Sequence, residues 1–149
     1  MTGKTFEEFH AGERYVTGRR TITEHDILQF VTLVGLTEPL FLDMEYIRNE
    51  SLYGERIAPG SLTFGMAEGL TVQTGLIHGT GMSYLGSEIR IVAPVLEGDT
   101  LRVSVTITDK RETKKPDRGI VTYRHEVTNQ RGEVVLEAAV KRMIKRKPA

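Results

Sequence analysis

The chain has 149 residues, with 20 Lys+Arg against 20 Asp+Glu and therefore no formal net charge. Neutrality argues against a general nucleic-acid binder, which would be basic. The absence of cysteine excludes disulfides, thiolate nucleophiles and cysteine-ligated zinc. The length predicts one domain over residues 1–149. The opening MTGKTFEEFHAGE holds no apolar core of leader length, and no apolar run of about 18 residues occurs. A cytoplasmic protein with no membrane partner is the expectation.

The segment TITEHDILQFVTLVG predicts the first helix. Thr23 is its N-cap, with Asp26 three residues on as the second half of a capping box. Ile27, Phe30, Val31 and Val34 follow helical spacing, and Gly35 stops the run. Asp43 caps a second, short helix, MEYIRNESLYG, expected to end near Gly54. Pro59-Gly60-Ser61 opens a third, LTFGMAEGLTVQTGLI, with Leu62, Met66, Gly69, Leu70, Gln73 and Ile77 on one face. Gly65 and Gly69 each cost about 0.8–1 kcal/mol of helix propensity. Close packing against a neighbour must offset that cost.

After Gly81 the period changes to two. Ile89 and Ile91 alternate with Glu88 and Arg90. Leu101, Val103, Val105 and Ile107 alternate with polar residues. Val121, Tyr123, His125 and Val127 share a face, as do Val134, Leu136, Ala138 and Val140. ERYVTGRRTI supplies a further strand near the N-terminus. Long alternating strands joined by short turns predict an antiparallel sheet with one buried face. The expected class is α+β: a hotdog fold, in which a curved five-stranded antiparallel sheet wraps around the third helix.

Four stretches, in order, resemble the MaoC-like dehydratases and (R)-specific enoyl-CoA hydratases: ITEHDILQF, GLTEPLFLDMEY, YGERIAPGSLTFGMAEGL and IVAPVLEGDTL. The resemblance covers roughly residues 5–144. It implies syn addition of water to an enoyl thioester. In that chemistry an Asp and a His hold and activate the water, and amides at the central helix start polarise the thioester carbonyl. Carried across by position, the Asp falls on Leu36, the Asn of the signature on Glu38 and the His on Phe41, while Gly35, Pro39 and Leu40 match. Leu36 and Phe41 can neither take nor give a proton, so the frame of the loop is retained and its titrating groups are not. Gly60 matches the oxyanion position, which needs only a backbone N–H.

Two carboxylates are candidates to replace the missing groups. Glu38 lies on the same loop among Leu36, Pro39 and Phe41, where desolvation would raise its pKa. The competing reading is a solvated or capping carboxylate. Glu68, eight residues after Gly60, resembles the helix carboxylate of one class of hotdog thioesterases. It is expected to lie off the Leu62/Met66/Leu70 face, toward a partner subunit or solvent, and the competing reading is an ordinary exposed glutamate. His10 lies near the terminus, His25 in a helix cap and His78 at a helix end, and His125 is read as a hydrogen-bonded core residue. No histidine pair has metal-ligand spacing, so no metal is expected.

The resemblance implies an acyl-CoA thioester as partner, with Gly35, Leu36, Phe41, Pro59, Ser61 and Arg90 as candidate substrate contacts. Arg90 is the candidate for the phosphates of coenzyme A. No separate cofactor is expected, since coenzyme A arrives with the substrate. A homo-oligomer of at least two copies follows from the open sheet edge. Three functions remain open: a hydro-lyase with a rewired acid and base, a thioesterase using Glu68, and a non-catalytic acyl-CoA-binding subunit.

Overall fold

The computed structural model describes residues 2–149. The first strand, β1 (Arg14–Thr21), leads into α1 (Glu24–Val34). The capping box forms as its residues predict: Thr23 Oγ1 accepts from the Asp26 amide at 3.2 Å, and the Asp26 carboxylate accepts from the Thr23 amide at 2.9 Å. Gly35 ends α1 with φ of 80°, a left-handed turn in which glycine carries no Cβ penalty. Two short helices follow, α2 (Pro39–Leu42) and α3 (Met44–Asn49). Asp43 caps α3 through the Glu45 and Tyr46 amides. This helix stops short of Gly54 because Ser51 diverts the backbone. Its hydroxyl donates to the Ile47 carbonyl at 2.7 Å and accepts from the Tyr53 and Gly54 amides.

The long helix α4 (Gly60–Gln73) buries Leu62, Thr63, Met66, Ala67, Leu70 and Thr71. These are two adjoining stripes, 62/66/70 and 63/67/71, so α4 is covered on two sides rather than one. It does not run on to Ile77, because Gly75 adopts φ of 81° and the Thr74 hydroxyl donates to the Thr71 carbonyl. No helix among the described residues is long and apolar enough to cross a membrane.

The remaining strands are β2 (Gly81–Ile91), β3 (Thr100–Glu112), β4 (Arg118–Thr128) and β5 (Val134–Lys145). They form one five-stranded sheet of order β1-β3-β4-β5-β2, antiparallel throughout. With α4 on its inner face, this is the α+β hotdog architecture. On β3 and β4 the expected alternate residues are the buried ones. The β5 pattern differs at its start. A register shift between Val127 and Thr128 leaves an extra residue opposite, so Val135 and Leu136 are both fully buried and Val134 only partly so. The β2 alternation does not produce a buried face. As an edge strand hydrogen-bonded only to β5, it leaves Met82, Tyr84, Leu85, Ile89 and Ile91 exposed.

Candidate functional site

The site begins with how α4 starts. Its N-cap residue is Pro59, which has no side-chain hydrogen bond to offer, where Ser, Thr or Asp would close the first turn. The Leu62 and Thr63 amides reach the Pro59 carbonyl at 3.0 and 3.1 Å. The Gly60 and Ser61 amides have no acceptor among the described residues. Two free N–H donors at the positive end of a helix of 14 residues form a site for a developing or partial negative charge.

A cavity of about 390 Å³ opens at this point, between α2, the start of α4, the Ile91–Val95 segment and β5. That volume suits a small ligand. Phe41, Ile57, Pro59, Gly60, Thr63 and Val135 are among its walls. No carboxylate and no imidazole lines it. A Cβ at Gly60 would meet Ile91 Cδ1 at 2.9 Å, so the end of that side chain would have to move to admit one. Thr63 is buried, and its hydroxyl has no hydrogen-bond partner. Other helix threonines bond back one turn: Thr71 to the Ala67 carbonyl at 2.8 Å and Thr32 to that of Leu28 at 2.8 Å.

Of the residues singled out in the sequence, Phe41, Pro59 and Gly60 come together at this cavity. Gly35 and Leu36 are exposed and outside its walls. Glu38 occupies the N-cap position of α2, exposed, with no capping bond from its side chain and no place in the cavity wall. Ser61 is exposed and is not among the cavity walls, although it follows Gly60 in the first turn of α4. Arg90 is not brought there. It lies on the outer face of the sheet, ion-paired with Glu137 at 2.7 Å beside Arg124. Sequence reasoning missed Arg56, which is buried and donates from Nε to the Phe41 carbonyl at 2.9 Å. Its guanidinium also faces Glu24 at 3.3 Å and Glu97 at 3.5 Å. It thereby fixes α2 against the turn before β3, and a single Arg in a loop gives no periodic signal of this role.

Glu68 points toward the sheet rather than out to solvent. The expectation failed because α4 buries a second stripe, and Glu68 stands beside it. Its carboxylate accepts from Tyr123 Oη at 3.0 Å and pairs with Arg142. Arg142 Nε donates to Tyr123 Oη at 2.7 Å. Burial, reinforced by the Glu68 charge, pushes the Tyr123 phenol above its ordinary range. His125 Nε2 lies 3.0 Å from Thr71 Oγ1 and 3.5 Å from Glu68. Since the Thr71 hydroxyl already donates to Ala67, Nε2 carries the proton and Nδ1 is left without a partner. Burial lowers the His125 pKa to about 4, outweighing the attraction of Glu68. The cluster is thus a closed buried network, and Glu68 is not among the walls of the cavity.

Residues 6–129 match the family described as the MaoC like domain. The chain belongs to this family. It is 30% identical over 139 residues to the (R)-specific enoyl-CoA hydratase of Rhodospirillum rubrum, covering 93% of this chain and 90% of that protein. It is 37% identical over 116 residues to Protein MaoC of Klebsiella aerogenes, covering 77% of this chain but only 33% of that protein. The crystal structure of the MaoC-like dehydratase from Rhodospirillum rubrum superposes with a TM-score of 0.87 and 32% identity, covering 99% of this chain and 100% of that one. The family resemblance legible in the four sequence stretches therefore holds.

The His125 environment fixes a pH dependence. An unfolded histidine titrates near 6.5 and the folded one near 4, so between these values the unfolded chain binds more protons. Stability contributed by neutral His125 is present above pH 6.5 and is lost as pH falls toward 4. Urea midpoints of the wild type and His125→Gln, measured across that window, should converge at low pH. Parallel curves would contradict the assignment.

Proposed function

We propose that this MaoC-like chain binds an acyl-CoA thioester with its carbonyl oxygen on the Gly60 and Ser61 amides, and that its own cavity supplies no carboxylate or imidazole for hydration. The observation that carries the reading is the uncapped start of α4 facing an apolar cavity without a carboxylate or imidazole. Amide donors aimed at a carbonyl oxygen bind it, and stabilise it further as enolate charge develops. Hydration also needs a group within reach of water that can move a proton. Phe41 presents a ring to the cavity and Leu36 stands outside it. The enoyl-CoA hydratase scaffold is thus kept as a thioester-binding site. The walls give no support to a Glu68 thioesterase, because both Glu68 oxygens are engaged by Tyr123 and Arg142. Glu38 faces solvent at the far end of α2, which leaves it without the desolvation that its candidacy requires. Coenzyme A arrives as part of the ligand and no other cofactor enters. We place its work in the cytoplasm, where such thioesters are made and used.

We further propose a homo-oligomer joined through β2. One backbone edge of this strand is unpaired, and it carries Met82, Tyr84, Leu85 and Ile89 exposed. Such an edge pairs with another unless it is blocked. Ile91, on the same strand, lines the cavity, so a partner there would border the site. Sedimentation at micromolar concentration should give at least twice the 16.7 kDa chain mass. A single monomeric boundary would refute the edge-paired assembly.

The binding reading is tested with but-2-enoyl-CoA. Calorimetry should detect binding tighter than that of free coenzyme A, with no loss of the conjugated absorbance. Leu36→Asp with Phe41→His brings only the imidazole to the wall, since Leu36 stands outside it, so neither single change nor the pair should add much hydration. Each new polar group, if unpaired, costs about 1–3 kcal/mol of stability, so folding is checked first. A folded double variant that binds the thioester and remains inactive would show that more than these two side chains separates the chain from its hydratase relatives.

A further inference from the structure

We propose a further activity for this cavity: isomerisation of 3-enoyl thioesters to their conjugated 2-enoyl forms, with Tyr53 as the residue that carries the proton. The proposal rests on the thioester-binding reading given above.

Tyr53 is the one titratable side chain among the cavity walls. The other polar side chain there, Thr63, is an alcohol and does not titrate in the accessible range. The hydroxyls of Tyr15, Tyr84 and Tyr123 are engaged by Glu13, Ser87 and Glu68. That of Tyr53 has no hydrogen-bond partner among the described residues. The residue lines the cavity yet is 38% exposed, so it stands between the cavity and solvent. Its backbone is held: the Tyr53 amide donates to Ser51 Oγ at 3.2 Å, and Gly54 turns the chain after it with φ of 69°. The loop thus places the ring and leaves its oxygen free.

One proton carrier beside a pair of amide donors fits a narrow class of reaction. Hydration needs a water held and activated by more than one group. Moving a double bond needs no water, because a single group takes a proton from one acyl carbon and returns it to another. In a 3-enoyl thioester the second acyl carbon lies between the carbonyl and the double bond, so its C–H is the most acidic that the acyl chain presents. That C–H bond breaks, its proton passes to the Tyr53 phenolate oxygen, and its electron pair spreads into a dienolate. The dienolate oxygen rests its charge on the Gly60 and Ser61 amides. The fourth carbon then takes the proton back, the double bond moves to between the second and third carbons, and the phenolate is restored. Nothing is oxidised, reduced or consumed. The two carbons lie on one face of a planar dienolate, so one oxygen serves both. A phenolate is a stronger base than the carboxylate or imidazole that the walls lack, and it is the minor form of a phenol at neutral pH. The walls around it hold no other titratable group, and behind Phe41 the Arg56 charge is balanced by Glu24 and Glu97.

The test follows the rise of conjugated absorbance with 3-butenoyl-CoA as substrate, and uses butyryl-CoA and free coenzyme A for calorimetry. Wild type should form the conjugated thioester, and faster as pH is raised from about 7 to about 9, because the phenolate fraction grows. Tyr53→Phe keeps the ring and removes the hydroxyl. It should lower kcat about 100-fold or more, with KM and butyryl-CoA binding unchanged. Wild type that binds butyryl-CoA without converting 3-butenoyl-CoA, or a Tyr53→Phe variant that keeps its kcat, overturns the activity assigned here. A loss that falls on KM and binding together while kcat stays makes Tyr53 a contact only, and overturns it too. Butyryl-CoA binding no better than free coenzyme A in wild type is a separate result: it removes the thioester reading itself, and this proposal with it.

Discussion

The Gly60 and Ser61 amides have no protein acceptor, and Pro59, the N-cap of α4, has no side chain that could accept from Ser61. The rest of the site is arranged around that omission. The start of the helix faces a cavity whose other walls are mostly apolar, with Tyr53 and Thr63 as the polar side chains. Ile91 from the edge strand comes so close to Gly60 that any side chain there would displace it. The same helix start would serve an enzyme or a binding protein equally well, and what separates the two is the chemistry of the facing loop. Here that loop contributes the Phe41 ring.

Two buried charged groups hold this arrangement in place. Arg56 fixes the position of Phe41 by taking its carbonyl oxygen, and its charge is balanced by Glu24 and Glu97. Below the cavity, Arg142, Glu68 and Tyr123 bind α4 to β4 and β5 through mutual hydrogen bonds. Ion pairs with one buried or half-buried member contribute little net stability, but removing the partner leaves the shielded charge unpaired and is costly. Their effect is to define where α4 lies over the sheet. That in turn sets where its N-terminus points.

Much of the fold was legible because it rests on local rules. The Thr23/Asp26 capping box, the Gly35 stop and the alternation of β3 and β4 follow from backbone hydrogen bonding and a period of two. The misreadings came where tertiary contact overrides pattern. A helix buried on two sides has no single apolar stripe, so Glu68 looked exposed and Thr63, Ala67 and Thr71 went unread. The bulge opposite Thr128 put Val135 inward, which strict alternation forbids. The β2 residues alternate as a half-buried strand would, yet lie at the edge. At the site, Gly60, Pro59 and Phe41 were found through the family motif, whereas Arg56 and Thr63 carry no motif and emerge only from burial and missing partners. Arg90 failed as a candidate because alternation gives a residue's face but not which face holds the cavity.

The central claim is that the amides at the start of α4 polarise a thioester carbonyl. The most direct measurement is the infrared carbonyl stretch of an acyl-CoA labelled with carbon-13 at the thioester carbon, bound to the protein and free in water. Two preorganised donors should shift the bound band to lower frequency than the free one, and replacing Gly60 by Ala should reduce the shift as the carbonyl is crowded from its place. A bound band at or above the free frequency, in a complex that calorimetry shows to be saturated, would contradict the account.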